Sequence, residues 1–266
     1  MQQSELERAR DLMLKAARES GEILLSYYGR LEDTHIGRKS STRDLVTEAD
    51  LASERHLVEC LRGAFPEHAI EAEEEVRDAI VDPEQPRWFL DPLDGTVNFV
   101  HSLPMFAVSA GLWIGDQPQV AVVHLPILGE TFHAIRGGGA FLGEQSLAVS
   151  SATQLSESIL ATGFPYRRNE LEFDNLDNFN AFFYDQRGVR RMGSAAIDLA
   201  YTAAGRLDGY WELHLSPHDV AAGGLLVSEA GGKVSDAYGG TNWLRGGSIV
   251  AAGPGLHESI RERLKH

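Results

Sequence analysis

The first residues of the chain have the hydrophobic spacing of an amphipathic helix. Between residues 4 and 28 apolar side chains recur every three or four positions, which predicts a helix over this range. Its expected capping box is Ser4 with Glu7, and Gly29 is expected to end it. The apolar positions are Leu6, Ala9, Met13, Ala16, Ile23, Leu24 and Tyr27.

A second helix and then a β-rich region follow. The second helix is predicted from about residue 45 to 61, ending near Gly63 and Pro66. Beyond it, short β-rich runs are separated by Gly, Pro and Asp, and a hairpin turn is predicted at 115–118. The glycine-rich run 136–140 lacks the ending of a phosphate-binding P-loop, so it is interpreted as a turn. The predicted strands are 88–90, 105–114, 119–125 and 130–135.

The last third of the chain alternates between strand and helix patterns. Layers of helices on sheets are the natural architecture for this mixture, which predicts an α+β fold. The polar segment 167–187 fits neither pattern and is interpreted as a mobile loop over a site. The predicted strands are 159–162, 207–212, 233–236 and 249–252, and the predicted helices are 194–205, 217–230 and 255–265.

Composition limits the class of protein. The 266 residues predict one or two domains, and 43% hydrophobic with 24% charged residues is typical of a globular protein. We expect no membrane span, because no apolar run approaches 18 residues, and no signal peptide, because the N-terminus is charged. A single cysteine, Cys60, leaves no internal disulfide and is interpreted as a small buried side chain. A cytoplasmic location is therefore expected.

The charge balance bears on the ligands. The formal net charge is −15, so the protein is not expected to bind nucleic acids in general. The same field would repel a small phosphate ester unless a bound cation inverted the local sign.

Three acidic motifs are candidates for holding such a cation. They lie at 71–75, 91–96 and 216–219. Each motif also has a simpler interpretation when it is taken alone. The run at 71–75 could be a solvated acidic face, and 91–96 could be an ordinary turn. The segment 216–219 could be a helix N-terminus, with Ser216 as the N-cap residue and Pro217 in the first position of the helix.

The motif at 91–96 is the strongest of the three. Asp91 and Asp94 share one tight turn after an apolar strand, which is costly unless a cation lies between them. Mg²⁺ prefers such oxygen ligands, and the Leu93 carbonyl could add another. Gly95 and Thr96 are expected to begin a helix whose amide groups face a phosphate, and the Thr96 hydroxyl could hold a water.

Two families carry motifs of this kind. The turn resembles the DxDGT loop of haloacid-dehalogenase-like phosphatases, but that loop spaces its acids two apart whereas these are three apart. Residues 91–99 (DPLDGTVNF), continued by His101 and Pro104, resemble the signature of the inositol monophosphatase family. Further segments resemble that family in the same order along the chain: 44–50 after Lys39, the pair Glu73 and Glu74, 190–196 and 219–223.

The chain departs from the family pattern at few positions. His218 stands where many relatives have Trp, Ala72 replaces a common Gly, and Glu75 adds a negative charge. None of these is a required ligand, so the departures bear on substrate preference. The resemblance implies a layered αβαβα sandwich of the sugar phosphatase type. It also implies a single catalytic domain over 1–266, with a metal-binding α+β half (about 1–149) and an α/β half (about 150–266).

The resemblance also implies roles for individual residues. Mg²⁺ would be bound by Glu73, Asp91 and the Leu93 carbonyl, a second ion by Asp91, Asp94 and Asp219, and a third, weaker ion by Glu73 with waters. Thr96, with Asp50 or Glu73, would orient the attacking water, and Arg191 could serve a dimer. The residues implied in substrate binding are Leu93, Asp94, Gly95, Thr96, Arg190, Glu212 and Asp219.

The implied function is Mg²⁺-dependent hydrolysis of myo-inositol 1-phosphate, or a similar polyol phosphate, with no phosphoenzyme. Histidinol-phosphate or fructose-1,6-bisphosphate hydrolysis are alternatives on the same site. The residues 97–99 argue against the 3′-phosphoadenosine 5′-phosphate branch, which usually reads DGTKEF. A regulatory or scaffold protein that binds RNA polymerase or ribosomal factors is the alternative from another class. Lithium sensitivity and a homodimer are expected from the family.

Overall fold

The structure is a computed structural model that describes residues 1–31, 36–39, 45–79 and 82–266. Within them the helices are α1 (Gln3–Tyr27), α2 (Glu48–Ala64), α3 (Thr96–Val100), α4 (Leu176–Phe182), α5 (Ala195–Ala203), α6 (Pro217–Glu229) and α7 (His257–Arg261). The strands are β1 (Ile36–Arg38), β2 (Leu45–Thr47), β3 (Ala69–Ala72), β4 (Arg87–Asp94), β5 (Ala107–Ile114), β6 (Gln117–Leu125), β7 (Glu130–Ile135), β8 (Gly139–Leu142), β9 (Gln145–Ser146), β10 (Ile159–Thr162), β11 (Gly188–Arg190), β12 (Gly209–Leu213), β13 (Lys233–Ser235) and β14 (Ser248–Ala252).

Two large sheets organise these elements. The first has seven strands in the order β3-β4-β5-β6-β7-β8-β9, antiparallel except for the parallel pair β3 and β4. The second has five strands in the order β11-β10-β12-β14-β13. Strands β1 and β2 form a separate antiparallel ribbon.

Helices cover both faces of the two sheets. Helices α1 and α2 pack on the outer face of the seven-stranded sheet, and α5 and α6 lie between the sheets. Helix α7 packs on the outer face of the five-stranded sheet against β12 and β14. The resulting order of layers is αβαβα, which confirms the predicted layered α+β architecture.

Alternation along the strands divides the apolar core into three parts. In β4, Phe89 faces α5 and α6 between the sheets, whereas Trp88 and Leu90 face α1 and α2. In β12, Tyr210 lies in the central layer and Trp211 in the outer layer. Because side chains along a strand point alternately to its two faces, each sheet contributes to two of these clusters.

The first two helices start differently from the prediction. Helix α1 is capped by Gln2 with Glu5 rather than by Ser4 with Glu7. The backbone amide of Gln2 donates to the Glu5 carboxylate at 2.7 Å. The predicted start of α2 is wrong as well, since residues 45–47 form β2 and Thr47 caps the helix.

Other differences arise in short elements. Strands β3, β8 and β9 were not predicted. They have four residues or fewer, so their sequences show little of the alternation that identifies a strand. The segment 167–187, interpreted as a mobile loop, contains α4, and its buried Phe182 packs against Trp211, so that interpretation is wrong for residues 176–182. The glycine-rich run is a turn, as predicted: Gly137 and Gly139 have left-handed backbones, and their amides donate to the Glu229 carboxylate.

In the described part of the chain, no helix combines the length and the apolar character needed to cross a bilayer. The expected division of the chain near residues 149 and 150 stays a prediction.

Candidate active site

The acidic segment after β3 is held by a buried carboxylate on α2. Glu54 is fully buried and accepts hydrogen bonds from the backbone amides of Glu74, Glu75 and Val76 at 2.8, 2.7 and 2.9 Å. The Glu73 amide donates to the Leu90 carbonyl on the neighbouring strand at 3.1 Å. These bonds fix the position of the Glu73 side chain relative to β4.

A lysine neutralises part of this segment. The Lys39 ammonium donates to Glu73 at 2.7 Å and to Glu74 at 2.5 Å. Burial alone would lower the pKa of Lys39, but the charges of the two carboxylates outweigh it and raise that pKa above its ordinary value. Asp44, in the segment 44–50 that resembles the family, lies outside the described residues.

The turn at the end of β4 presents two further acids. The register of β4 with β5 shifts between Asp91 and Asp94, so the turn departs from regular sheet pairing. Asp91 is buried and accepts from the Leu93 amide at 3.0 Å. Asp94 accepts from the Ser194 hydroxyl at 2.7 Å and from the Ala196 amide at 2.6 Å, which connects this turn to the start of α5.

The fourth acid comes from the start of α6. As predicted, Ser216 is the N-cap residue and Pro217 occupies the first turn. One oxygen of Asp219 accepts from the Ser216 amide at 2.6 Å, and the other lies 3.7 Å from Nε2 of His218. Asp219 therefore both caps the helix and presents an oxygen beside His218.

A threonine and an aspartate lie beneath the Asp91 turn. The Thr96 hydroxyl lies 3.2 Å from Asp50 and 3.1 Å from the Leu93 carbonyl, either of which can accept a hydrogen bond from it. Asp50 also accepts from the Thr47 amide and hydroxyl. Burial raises the pKa of Asp50 to about 6, against the lowering effect of the Thr47 hydrogen bonds. Gly95 has a left-handed backbone, φ 101°, and Thr96 begins α3 as predicted.

The structure brings the acids together. One donor atom each from Glu73, Asp91 and His218 lie within 4.8 Å of one another. Burial raises the pKa of Asp91 well above its ordinary value, and the negative charges of Glu73, Asp94 and Asp219 add to the increase.

Asp94 and Asp219 show the same effect. For Glu73, in contrast, burial is outweighed by the charges of His218 and Lys39, which lower its pKa. Burial and the Asp219 charge raise the pKa of Asp94 to about 7, and burial with the Glu73 charge raises that of Asp219 to about 8. Carboxylates that oppose one another's ionisation in this way fit a divalent cation, whose charge would relieve both the repulsion and the burial.

The cluster opens into a pocket of about 260 Å³ between the two sheets. Glu73, Asp94 and Asp219 line it, whereas Asp91 lies buried next to them. Its other lining residues include three cations, the carboxylate of Glu212 and an aromatic edge: Lys39, Arg77, Arg191, Glu212, Phe164 and Tyr166. The pocket wall therefore contains both acidic and basic side chains.

Glu212 is positioned by two neighbours. Its carboxylate accepts from the Tyr210 hydroxyl at 2.5 Å, and burial raises its pKa. Gly163 leaves the space that the carboxylate occupies, because a Cβ there would overlap it.

The arginine expected to face substrate lies outside the pocket. Arg190 is exposed, its guanidinium contacts the Val189 carbonyl, and the pocket wall is formed by Arg191 instead. Consecutive residues at a strand end point to opposite sides, so this difference is a shift of one position.

Several residues at the site were missed by the sequence analysis. Arg77, His214 and the 164–166 segment line the pocket without belonging to any of the motifs. Glu54 gave no signal because its partners are backbone amides. His218 was noted in the sequence as a departure from the family pattern, and the structure places it beside Asp219 and close to Glu73 and Asp91.

Comparisons with known proteins agree with these observations. A model of the inositol monophosphatase family matches residues 5–266. The protein named Nus factor SuhB from Pasteurella multocida is 40% identical over 259 residues, which cover 96% of this chain and 95% of the relative.

Solved structures resemble the fold over nearly the whole chain. The extragenic suppressor protein suhB from Bartonella henselae has a TM-score of 0.90 and 36% identity, covering 97% of this chain and 98% of that one. The inositol monophosphatase from Anabaena (Nostoc) sp. PCC 7120 has a TM-score of 0.88 and 39% identity, covering 97% and 96%.

Proposed function

Because the chain belongs to the inositol monophosphatase family and has its fold, we propose that it hydrolyses inositol monophosphate or a similar small polyol phosphate with Mg²⁺. The observation that carries this proposal is the meeting of Glu73, Asp94 and Asp219 on one pocket beside the buried Asp91. Such a concentration of acids is a poor site for a phosphate on its own and a good one for a phosphate with cations.

The residues proposed to hold Mg²⁺ form two sets that share Asp91. Glu73, Asp91 and the Leu93 carbonyl would hold one ion, and Asp91, Asp94 and Asp219 a second, with a weaker third ion on Glu73. When bound, such cations neutralise phosphate oxygens and make a water a better nucleophile. The family is generally metal-dependent, and the choice of Mg²⁺ rests on the all-oxygen donor set.

Thr96 and Asp50 are proposed to orient the attacking water. The 3.2 Å contact between their side chains supports a relay in which the Thr96 hydroxyl accepts a hydrogen bond from the water and donates one to Asp50 Oδ1. Asp50 is buried and held by Thr47, so its carboxylate stays in place as the proton moves.

The side of the pocket formed by Glu212 and Arg191 is proposed to recognise the alcohol part of the substrate. Glu212 can accept hydrogen bonds from substrate hydroxyls, since its carboxylate lines the pocket with Tyr210 on one side only. Arg191 supplies positive charge that favours entry of a phosphate into a protein of net charge −15.

A second function is favoured by the name Nus factor that relatives carry. This name supports the alternative of a regulatory protein that binds factors of the transcription machinery, and such a role is compatible with a catalytic pocket.

The proposed activity is tested by phosphate release in the presence of Mg²⁺. The panel contains inositol 1-phosphate, histidinol phosphate and fructose 1,6-bisphosphate, assayed at equal concentrations. We expect the largest kcat/KM on inositol 1-phosphate and none without a divalent cation. A larger value for another ester would move the assignment to that branch, and no hydrolysis of any ester would overturn the proposal.

The variant Asp94→Asn separates phosphate hydrolysis from the binding of a protein partner. It removes one negative charge from the cluster while keeping the side-chain shape, so we expect a loss of about 10³-fold in phosphate release. Partner binding should be unchanged in this variant. Asp116→Asn, in the hairpin turn between β5 and β6, is the matched control and should keep full activity. Unchanged turnover in Asp94→Asn would contradict the metal assignment.

Two further properties follow from family membership and stay predictions. Li⁺ is expected to inhibit by replacing the most weakly held Mg²⁺, and a rate unaffected across a wide Li⁺ titration would count against the three-ion arrangement. A homodimer is expected and is checked by light scattering.

A further inference from the structure

A second cluster of ligating side chains lies on the outer helical layer, away from the pocket. His56 and Cys60 are four residues apart on α2, so they share one face of the helix, and Glu19 faces them from α1. All three side chains are half-buried. None of them takes part in the site described above.

The distances within this cluster converge on a single ring nitrogen. Nε2 of His56 lies 3.2 Å from Oε2 of Glu19 and 3.7 Å from Sγ of Cys60. The three donor atoms all lie within 4.8 Å of one another. The other Glu19 oxygen, Oε1, lies 3.7 Å from the Lys15 ammonium, which leaves Oε2 facing the cluster.

We propose that Glu19, His56 and Cys60 form a binding site for a thiophilic divalent cation such as Zn²⁺. In tetrahedral zinc sites, with Zn–S of about 2.3 Å and Zn–N of about 2.0 Å, neighbouring ligand atoms lie roughly 3.3 to 3.6 Å apart. The two contacts of Nε2, 3.2 and 3.7 Å, are within a few tenths of an ångström of these separations. The third pair, the Cys60 sulfur and the Glu19 carboxylate oxygen, lies within 4.8 Å, so binding would draw these two atoms closer.

This set of donor atoms favours a different metal from the one that suits the acidic pocket. A thiolate with an imidazole and one carboxylate suits Zn²⁺ or Co²⁺, whereas Mg²⁺ prefers oxygen ligands only. Binding would use the Cys60 thiolate, with its proton released to solvent, and the lone pair of Nε2, with the ring proton on Nδ1. Three protein ligands leave a fourth position for water.

The helix pair provides a rigid frame for the site. Next to Glu19, the Ser20 hydroxyl forms a buried hydrogen bond of 2.5 Å with Ser53 of α2. Leu57, one residue after His56, is buried under both helices. A bound cation would therefore link α1 to α2 without rearranging either helix, and we expect it to raise the thermal midpoint.

Cobalt binding to the full-length chain in excess Mg²⁺ tests the proposal. The excess Mg²⁺ is added to fill the acidic cluster. Because Cys60 is the single cysteine, a thiolate-to-cobalt charge-transfer band reports the Glu19, His56 and Cys60 cluster alone. We expect a band that saturates at one Co²⁺ per chain and is displaced by Zn²⁺. A chain that gives no such band would overturn the proposal.

Variants decide whether the three side chains act together. Cys60→Ser should abolish the band, and Glu19→Gln and His56→Gln should each weaken Co²⁺ binding about tenfold or more, since even indirect partners of a metal contribute that much. Glu22→Gln, an exposed acid on the same helix, is the matched control and should bind as the parent does. Full binding in Glu19→Gln and His56→Gln would show a thiol acting alone and would contradict the site.

Discussion

The two large sheets contribute to the pocket in different ways. The seven-stranded sheet provides Glu73 after β3 and Asp91 and Asp94 at the end of β4, two neighbouring strands. The side formed by the five-stranded sheet provides Glu212 from β12 and Arg191 after β11. The first set is proposed to hold the cations and the water, and the second is proposed to contact the alcohol part of the substrate.

The difference lies in how each set is held. The acids of the first set are fixed through backbone amides: those of residues 74–76 donate to the Glu54 carboxylate, and the Ala196 amide donates to Asp94. Glu212 is positioned by one hydroxyl and by the space above Gly163. Substitutions on the first side should therefore reduce the rate and the stability, and those on the second side should mainly change substrate affinity.

The largest effect is expected from Glu54→Ala. The substitution removes the shared acceptor of three partly buried backbone amides, so the free energy of unfolding should fall by about 3 kcal/mol and the rate of phosphate release should fall with it. Urea denaturation and a phosphate assay measure the two effects. Glu59→Ala, at an exposed position of the same helix, should resemble the parent chain. Equal stability of the two variants would show that Glu54 does not hold the acidic segment.

Gly163→Ala tests the second side of the pocket. A methyl group would displace the Glu212 carboxylate, so KM for a polyol phosphate should rise about five- to tenfold, as for the loss of one hydrogen bond, with kcat nearly unchanged. Gly63→Ala is the matched control, because a Cβ there meets no atom within 4 Å. A fall in kcat with constant KM would assign Glu212 to the chemical step instead.

The adjacent arginines should differ in effect. Arg191→Ala removes a charge from the pocket wall and is expected to lower kcat/KM about tenfold, whereas Arg190→Ala should change it less than about twofold. Steady-state kinetics on one ester measure both values. The opposite order would restore Arg190 as the substrate residue.

The smallest effect is a pH dependence of stability without metal. The raised pKa values of Asp94, about 7, and Asp219, about 8, mean that the folded chain binds protons that the unfolded chain has lost. Their contribution to stability is present below about pH 4 and is lost as pH rises to about 8. Mg²⁺ should therefore raise the thermal midpoint more at pH 8.5 than at pH 5.5, by calorimetry. An equal increase at both values would contradict the charge repulsion.

The same comparison explains which features could be predicted from sequence. Asp91 and Asp94 were identified because a strand, a turn and two acids are contiguous, and the long amphipathic pattern of α1 was placed within about one residue. Layering was predictable from alternating helices and strands.

Features that depend on distant contacts were not predictable. Glu54 lies 20 residues before the amides it accepts from, and nothing in its local sequence indicates them. The choice between Arg190 and Arg191 depends on the direction of a strand end. Glu19 meets His56 across 37 residues, through the packing of two helices.

The account depends most on the claim that the converging acids bind divalent cations. Isothermal titration of the metal-free chain with Mg²⁺ tests it directly, with Asp94→Asn and Asp116→Asn titrated in parallel. We predict more than one Mg²⁺ per chain for the parent and for Asp116→Asn, and at least one fewer for Asp94→Asn. No Mg²⁺ binding by the parent, or identical binding by all three chains, would contradict the account.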